Sequence, residues 1–306
     1  MPQVELSIVV LSWNTKDLTL ECLAALVADR PQYACEIIVI DNASHDGSAD
    51  AIAAAHPGVR LVRNQENVGY ARGNNQGAAL AAGTYVCLLN SDTQVREGAL
   101  DLLVDFLATN PGYGAVAPKL VNPDGSVQKA CQRFPGLLTA LCFDTWIGRL
   151  WPGTIVERRY HYRDFDHLTT RDVDQPPGAC FVMRTAEYRQ LAGFDESLWL
   201  FFNDVDLCRR IWRRGQRIRY LAEAVVMHHG GASTRHFPSF VVTWHRNRLA
   251  YYRKHYGVLA MPYVRAVVRM RAFEEWLKAK SKHADPGDVR KERAFLGQCV
   301  REILAP

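Results

Sequence analysis

The sequence predicts an α/β protein: a doubly wound, mostly parallel sheet followed by a mainly helical C-terminal extension. Three observations carry this. Over the first 120 residues, short apolar runs alternate with segments of helical spacing, the pattern of βαβ units. Polar clusters follow three of these runs, Ser12-Trp13-Asn14, Asp41-Asn42-Ala43-Ser44 and Asn90-Ser91-Asp92. Open α/β sheets collect ligands at such carboxyl ends. The 306 residues, 48% apolar and 23% charged, match the soluble globular mix and suffice for one large α/β domain or two small ones.

Each element has its own signal. Leu6 to Leu11 is β-branched and apolar, as in a buried parallel strand. Residues 17–29 place Leu18, Cys22, Leu23 and Leu26 at helical spacing, with Asp17 in the first turn. Glu36 to Ile40 reads as a second strand, Ser48 to His56 as a short helix closed by Pro57-Gly58, and Val59 to Val62 as a third strand. Tyr70 to Ala82 reads as a helix stopped by Gly83, Thr84 to Leu89 as the fourth strand, Glu97 to Thr109 as a helix, and Gly114 to Ala117 as the fifth strand. Residues 122–175 read as an irregular insertion or hairpin that opens on the turn signal NPDG. Gly178 to Met183 is a strand, Thr185 to Leu191 and Asp204 to Arg214 are helices, and Arg217 to Leu221 and Ala224 to Met227 are two further strands. From Phe237 onward the pattern is mainly helical.

Composition excludes several classes. There is no low-complexity tract, no internal period and no apolar run long enough to span a bilayer. The N-terminus lacks a basic n-region and carries Glu5, so it reads as a first strand and not as a signal peptide. Eight cysteines without a CxxC pair predict scattered thiols in a reducing cytoplasm and no structural zinc. Net charge is +5, and from Val258 onward ten Lys/Arg face six Asp/Glu. There Val264, Val267, Val268, Phe273, Trp276 and Leu277 are read as one apolar side against Arg265, Arg269, Lys278 and Lys282. Such a basic amphipathic helix can lie on a bilayer surface, or pack on its own domain. No nucleic-acid partner is expected.

Several residues carry chemistry. The first strand runs into SWNTKD, so neither GxGxxG nor GxxxxGK[ST] is present and a nicotinamide dinucleotide site is not expected. The glycine-rich stretch from Asn67 to Gly77 opens a helix, where free N–H groups and Arg72 can meet a phosphate, or where the backbone can pack closely on the sheet. Asp92 suits either a divalent ion on a diphosphate or a turn or helix cap. His228 and His229 can ligate or sit satisfied in a strand. Asp204 and Asp206 can offset a helix dipole or supply a general base.

Taken together, SIVVLSWN, VIDNASHDGS, NVGYARGNNQG, LLNSDT, GACFVMRTAEYRQLAGFDESLWLFFNDVDLCRRIWRRG and HHGGAST resemble, in order and spacing, family-two inverting glycosyltransferases, and most of all their bacterial rhamnosyltransferase-like members. The resemblance covers about residues 5 to 257 and implies a GT-A fold, a Rossmann-like sheet, with Mg2+ or Mn2+ as cofactor. It divides the chain into a transferase domain over 1–257, with 1–120 binding the nucleotide sugar and 121–257 the acceptor and catalytic half, and a basic extension over 258–306. By motif, Asp41 is similar to the aspartate that bonds the nucleotide base, with Ser12, Trp13 and Asn14 lining that pocket. Asn67 and Arg72 resemble the loop facing the diphosphate. Asn90, Ser91 and Asp92 stand where the family has its metal-binding DXD, and Asp92 is its last carboxylate. His228, with Gly231 and Ser233, resembles the histidine near the metal, with His229 as the fallback. Asp204 resembles the base aspartate of an ED motif that here reads Asn203-Asp204. The loss of one DXD carboxylate implies weak metal affinity without the sugar nucleotide.

The resemblance implies donation from a nucleotide-diphosphate sugar, dTDP-L-rhamnose or a UDP-sugar, to a cell-surface saccharide or polyprenyl-linked saccharide. The expected location is cytoplasmic, at the inner face of the membrane. The alternative is a non-catalytic nucleotide-sugar-binding scaffold, supported by the thinned DXD alone.

Overall fold

The structure, a computed structural model, describes residues 4–29, 31–142, 145–150, 153–231, 240–282 and 285–305. In chain order it begins β1 (Leu6–Ser12), α1 (Lys16–Asp29), β2 (Cys35–Asp41), α2 (Ser48–Ala55), β3 (Arg60–Arg63), α3 (Gly69–Leu80), β4 (Tyr85–Asn90), β5 (Thr93–Val95), α4 (Ala99–Thr109) and β6 (Tyr113–Val121). Three short helices follow, α5 (Leu137–Cys142), α6 (Trp146–Leu150) and α7 (Ile155–Tyr160). Then come β7 (Arg171–Asp172), β8 (Cys180–Arg184), α8 (Thr185–Gln190), α9 (Asn203–Arg213) and β9 (Arg217–His228). The chain closes with α10 (Phe240–Tyr256), α11 (Met261–Lys282) and α12 (Pro286–Leu304).

Two compact units result. The first comprises Met1–Gln132, Phe165–Trp199 and Asn203–Phe237 and contains the whole sheet. Its strand order is β3-β2-β1-β4-β8-β6-β9-β5, with β7 on β9. The expected parallel half is present: β3, β2, β1 and β4 run parallel. Beyond it, β8 is antiparallel to β4 and β6, β6 and β9 are parallel, and β5 and β7 are antiparallel to β9.

Parallel strands must be covered on both faces. Leu6, Ile8 and Val10 of β1 join Cys22, Leu23 and Leu26 of α1 in one buried cluster. On the other face α3 lies directly on β1. A Cβ at Gly77 would stand 2.2 Å from Val9 Cγ1, and one at Gly73 2.5 Å from Leu11 Cδ1. Close packing therefore accounts for these two glycines, one of the two uses expected for that stretch.

Four readings need correction. The strand β5 was not expected, because three residues show no periodicity. The two strands expected at 217–221 and 224–227 are one strand, β9, whose register against β6 shifts between Pro118 and Lys119. The 122–175 segment, expected to be an irregular insertion or hairpin, opens on such a hairpin, with Val121 bridged to Val127, but is more regular after it. Its NPDG turn closes with Gly125 N donating to Asn122 O at 2.9 Å, but beyond it lie α5 to α7, each too short to show helical periodicity. The single apolar side read on α11 is two. Val264, Val267 and Val268 are buried, whereas Phe273, Trp276 and Leu277 are 58%, 38% and 52% exposed. Residues 264 and 273 are about two and a half helical turns apart and so face opposite ways.

The second unit comprises Arg133–Asp164, Leu200–Phe202 and Pro238–Pro306. Tyr252 Oη donates to Gly136 O at 2.9 Å, Tyr256 Oη to Pro135 O at 2.7 Å and Tyr263 Oη to Leu137 O at 2.9 Å, and buried Arg248 donates to Ala140 O. These bonds tie α10 and α11 to the carbonyls around α5. No helix among the described residues is long and apolar enough to cross a membrane. The expected helical onset at Phe237 lies outside the described residues.

Candidate active site

The register of the parallel strands builds the rim. Ser12 pairs with Asp41 and Leu11 with Asn90, so β1, β2 and β4 end level and the three polar clusters meet at one sheet edge. Side-chain bonds then lock the loops together. Ser12 Oγ joins Thr19 Oγ1 at 2.9 Å, and Thr15 Oγ1 joins Ser91 Oγ at 2.9 Å. Asn14 Oδ1 accepts from His45 N at 2.8 Å, and Asn14 N donates to Ser44 Oγ at 2.9 Å. Trp13 is half-buried at the end of β1. Asn14 and Ala43 hold left-handed φ angles of 51° and 61°, a conformation that costs a non-glycine residue about 1–2 kcal/mol. Strain of this kind concentrates at functional loops.

Asp41 is 3% exposed. Its Oδ2 accepts from Ser44 N at 3.2 Å, while its Oδ1 is buried with no hydrogen-bond partner. An acceptor left so is a site in want of a donor. Asn67, expected to face the diphosphate, has its Oδ1 occupied by Asn42 Nδ2 at 2.8 Å and Gly69 N at 3.0 Å. Asn42, which the motifs did not single out, also accepts from Val68 N at 3.0 Å and Asn64 Nδ2 at 3.1 Å, and so shapes the whole 64–69 loop. Arg72 is exposed and stands 4.0 Å from Glu196, a solvent-screened pair that leaves its guanidinium available. Asn90 is half-buried, and its backbone N donates to Ala179 O at 2.9 Å.

The antiparallel strands deliver the rest. In the β5–β9 register Thr93 pairs with His228, which places His228 Nε2 3.4 Å from Asp92 Oδ1. Both side chains are mostly buried, at 15% and 8% exposure. Gln128 fixes the imidazole from behind: its Nε2 donates to His228 O at 2.6 Å, so its Oε1 faces His228 Nδ1 at 3.0 Å. An amide oxygen only accepts, and Nδ1 must therefore carry the proton. With a proton on Nδ1 alone, His228 would turn a bare Nε2 lone pair toward a carboxylate oxygen 3.4 Å away. Two acceptors sharing one space call for a cation or a proton between them, which fits a divalent ion. Among the described residues no group of three or more His, Cys, Asp or Glu gathers for a metal, so further ligands must come from elsewhere. His229, the fallback, donates its N to Asp92 O at 3.0 Å and keeps Nε2 buried without a partner. Ser233 of the same motif lies outside the described residues.

Asp204 opens α9. Its Oδ1 accepts from Val205 N at 2.8 Å and its Oδ2 from Gln175 Nε2 at 3.3 Å. Burial raises its pKa, against those hydrogen bonds, which lower it. Asp206, two residues on, is fully buried and holds Arg210 at 2.8 Å, and Arg210 donates to Gly193 O at 2.7 Å; it is structural. A Cβ at Gly178 would stand 3.4 Å from Asp204 Oδ2 and 3.5 Å from Tyr70 Oη, and Tyr70 Oη donates to Gly178 O at 2.9 Å. The Tyr70 phenol has a raised pKa, by burial first and then by the charges of Asp204, Tyr188 and Asp92. Asp204 and Tyr70 thus meet at Gly178.

These features define an α/β ligand-binding protein whose site lies beyond the carboxyl ends of its strands. The chain belongs to glycosyl transferase family 2, whose description matches residues 7–188, and it is a glycosyltransferase. It is 30% identical over 226 residues to the N-acetylglucosaminyl-diphospho-decaprenol L-rhamnosyltransferase of Mycobacterium tuberculosis, covering 70% of this chain and 72% of that one. It is also 30% identical over 235 residues to the O-antigen biosynthesis protein RfbC of Myxococcus xanthus, covering 76% of this chain but 18% of that one. Among solved structures, the mannosyltransferase PcManGT from Pyrobaculum calidifontis in complex with GDP-Man and Mn2+ superposes with a TM-score of 0.54 at 17% identity, over 98% of this chain and 87% of that chain. GalNAc-T7 with UDP, GalNAc and Mn2+ gives a TM-score of 0.56 at 15% identity, over 99% and 57%. These two share the GT-A fold with this chain.

Proposed function

We propose that the protein transfers L-rhamnose from dTDP-L-rhamnose, with inversion, to a hydroxyl of a cell-surface polysaccharide or its polyprenyl-linked precursor. One observation supports the mechanism: Asp204 Oδ2 and Tyr70 Oη both lie against Gly178, just before β8, the strand that pairs with β4, after which Asp92 follows. The identity to a rhamnosyltransferase with a decaprenyl-diphosphate-linked substrate supports the choice of sugar and acceptor.

Asp41, with its unpartnered Oδ1, receives an N–H of the base, and Ser12, Trp13 and Asn14 wall that side. Arg72 and the α3 N-terminus meet the diphosphate. Asp92 and His228 hold a Mg2+ or Mn2+ ion, which supplies neutralising charge for the diphosphate. Asp204 removes the proton of the acceptor hydroxyl while that oxygen bonds the anomeric carbon and the bond to the diphosphate oxygen breaks on the opposite face. The proton ends on Asp204, the nucleotide diphosphate leaves, and one displacement inverts the centre.

The test is Asp204→Asn assayed with dTDP-L-rhamnose and Mn2+, by transfer or by slow donor hydrolysis. We expect kcat to fall at least ~100-fold with donor binding kept. A purified variant turning over at the wild-type rate removes Asp204 from the role.

A further inference from the structure

In the second unit α10, α11 and α12 line an open cavity of about 470 Å³, within the range of ligand pockets. Its walls are mostly apolar, with Trp244, Val268, Phe295, Leu296 and Ile303 among them. The charged side chains that reach it are Arg271, Glu275 and Glu292, and Arg271 is already paired with Glu274 at 3.4 Å and with Glu275. His245, also in the wall, is 8% exposed and uncharged at neutral pH, since burial first and then the charges of Arg248 and Arg271 bring its pKa down to about 3. The lining therefore suits an uncharged, apolar occupant.

The surroundings identify its source. Phe295 both lines the cavity and is 57% exposed, so the cavity opens to the surface beside it. Phe273, Trp276 and Leu277 are exposed on α11, with the Phe273 and Trp276 rings stacked at 5.9 Å. Arg293 of α12 lies over the Trp276 ring at 3.8 Å. The same two helices expose Arg265, Arg269, Lys278, Arg290, Lys291 and Arg301 against Asp285, Asp288 and Glu302. Exposed aromatic and aliphatic side chains among surplus cations are the composition of a helix lying in an anionic bilayer interface.

We propose that this cavity takes one acyl chain of an anionic bilayer lipid while α11 and α12 lie at the membrane surface. The proposal is independent of the sugar-transfer assignment. Trp244 in the wall and Trp276 outside it are natural reporters. The full chain is mixed with phosphatidylglycerol vesicles whose acyl chains carry bromine at mid-chain, and tryptophan emission is compared for wild type, Trp244→Phe and Trp276→Phe. The expected result is quenching of which most is lost in Trp244→Phe, and which is also lost in Ala272→Phe, a change that fills the cavity from its half-buried wall. Ala272→Phe is expected to keep its thermal unfolding and its sugar-nucleotide turnover in solution. Quenching confined to Trp276 means adsorption without chain entry and overturns the proposal, as does no quenching at all. Sedimentation showing a lipid-free dimer that Phe273→Ser and Phe295→Ser dissociate assigns the face to a second copy and equally overturns it.

Discussion

Asp204 is held in a state that favours its proton, and this has a consequence for stability as well as rate. Burial raises its pKa in the folded protein above the ordinary carboxylate value. The folded chain therefore binds that proton more tightly than the unfolded chain, and stability falls as pH rises from the ordinary carboxylate range through the raised value. The whole penalty is present only above the raised value. Asp204→Asn is expected to raise the unfolding temperature at pH 7 and to lose that advantage in acid, while kcat/KM of the wild type declines on acidification at a pH above the ordinary carboxylate range. A melting-temperature series against pH checks both signs. Gln128 offers a second test at this scale. It holds His228 at Nδ1 and at the backbone carbonyl, and if His228 ligates the proposed ion, its outer-shell partner is expected to alter affinity about 10- to 100-fold. Gln128→Leu should therefore weaken Mn2+-dependent donor binding by about 10- to 100-fold in calorimetry, and unchanged binding would remove it from that role. Legibility in sequence was uneven here. Asp41, Asp92 and His228 stood at strand ends inside motifs. Gln128, Gln175 and Asn42 show their use only through bonds to segments remote in the chain.

At the scale of elements, the parallel half was readable because each strand is a short apolar run flanked by helices with their own 3.6-residue spacing. The antiparallel half was not, because periodicity carries no strand direction. Yet β5 and β8 complete the site. The three residues of β5 set Asp92 beside His228, and β8, running against β4 with Leu89 opposite Cys180, brings Gly178 and Gln175 to the rim. α3 supplies the clearest prediction about packing. A Cβ at Gly77 meets the buried Val9 side chain at 2.2 Å, while Gly58 and Gly112 have nothing within 4 Å. Gly77→Val should cost about 1–3 kcal/mol by overpacking. It should also move the glycine-rich loop at the head of α3, and with it donor affinity. Gly58→Ala and Gly112→Ala should do neither. Urea midpoints with calorimetric donor titration separate the three.

Across the whole molecule, sequence separates what must converge. Residues 41, 92, 128, 204 and 228 come from five different segments; Asp41 and His228 end strands and Asp92 lies between two, whereas Asp204 opens α9 and Gln128 is held by its bond to the His228 carbonyl. The pair proposed to hold a cation, Asp92 with His228, is thin by itself, since Asn90 stands where a second carboxylate would be and no third His, Cys, Asp or Glu joins them among the described residues. A site so thin should hold a divalent ion weakly until a diphosphate adds its oxygens, because such ions take several oxygen ligands. Linkage turns this into a measurable non-additivity. Mn2+ alone and sugar nucleotide alone should each shift the unfolding temperature little, whereas the two together should shift it by more than the sum. At about 100 times the dissociation constant the added stability is about 2.7 kcal/mol. Asp92→Ala should abolish the excess while leaving the unfolding temperature without ligands close to wild type. Simple additivity in the wild-type protein would mean that ion and nucleotide do not share a site, and the arrangement of Asp92 with His228 would then need another explanation.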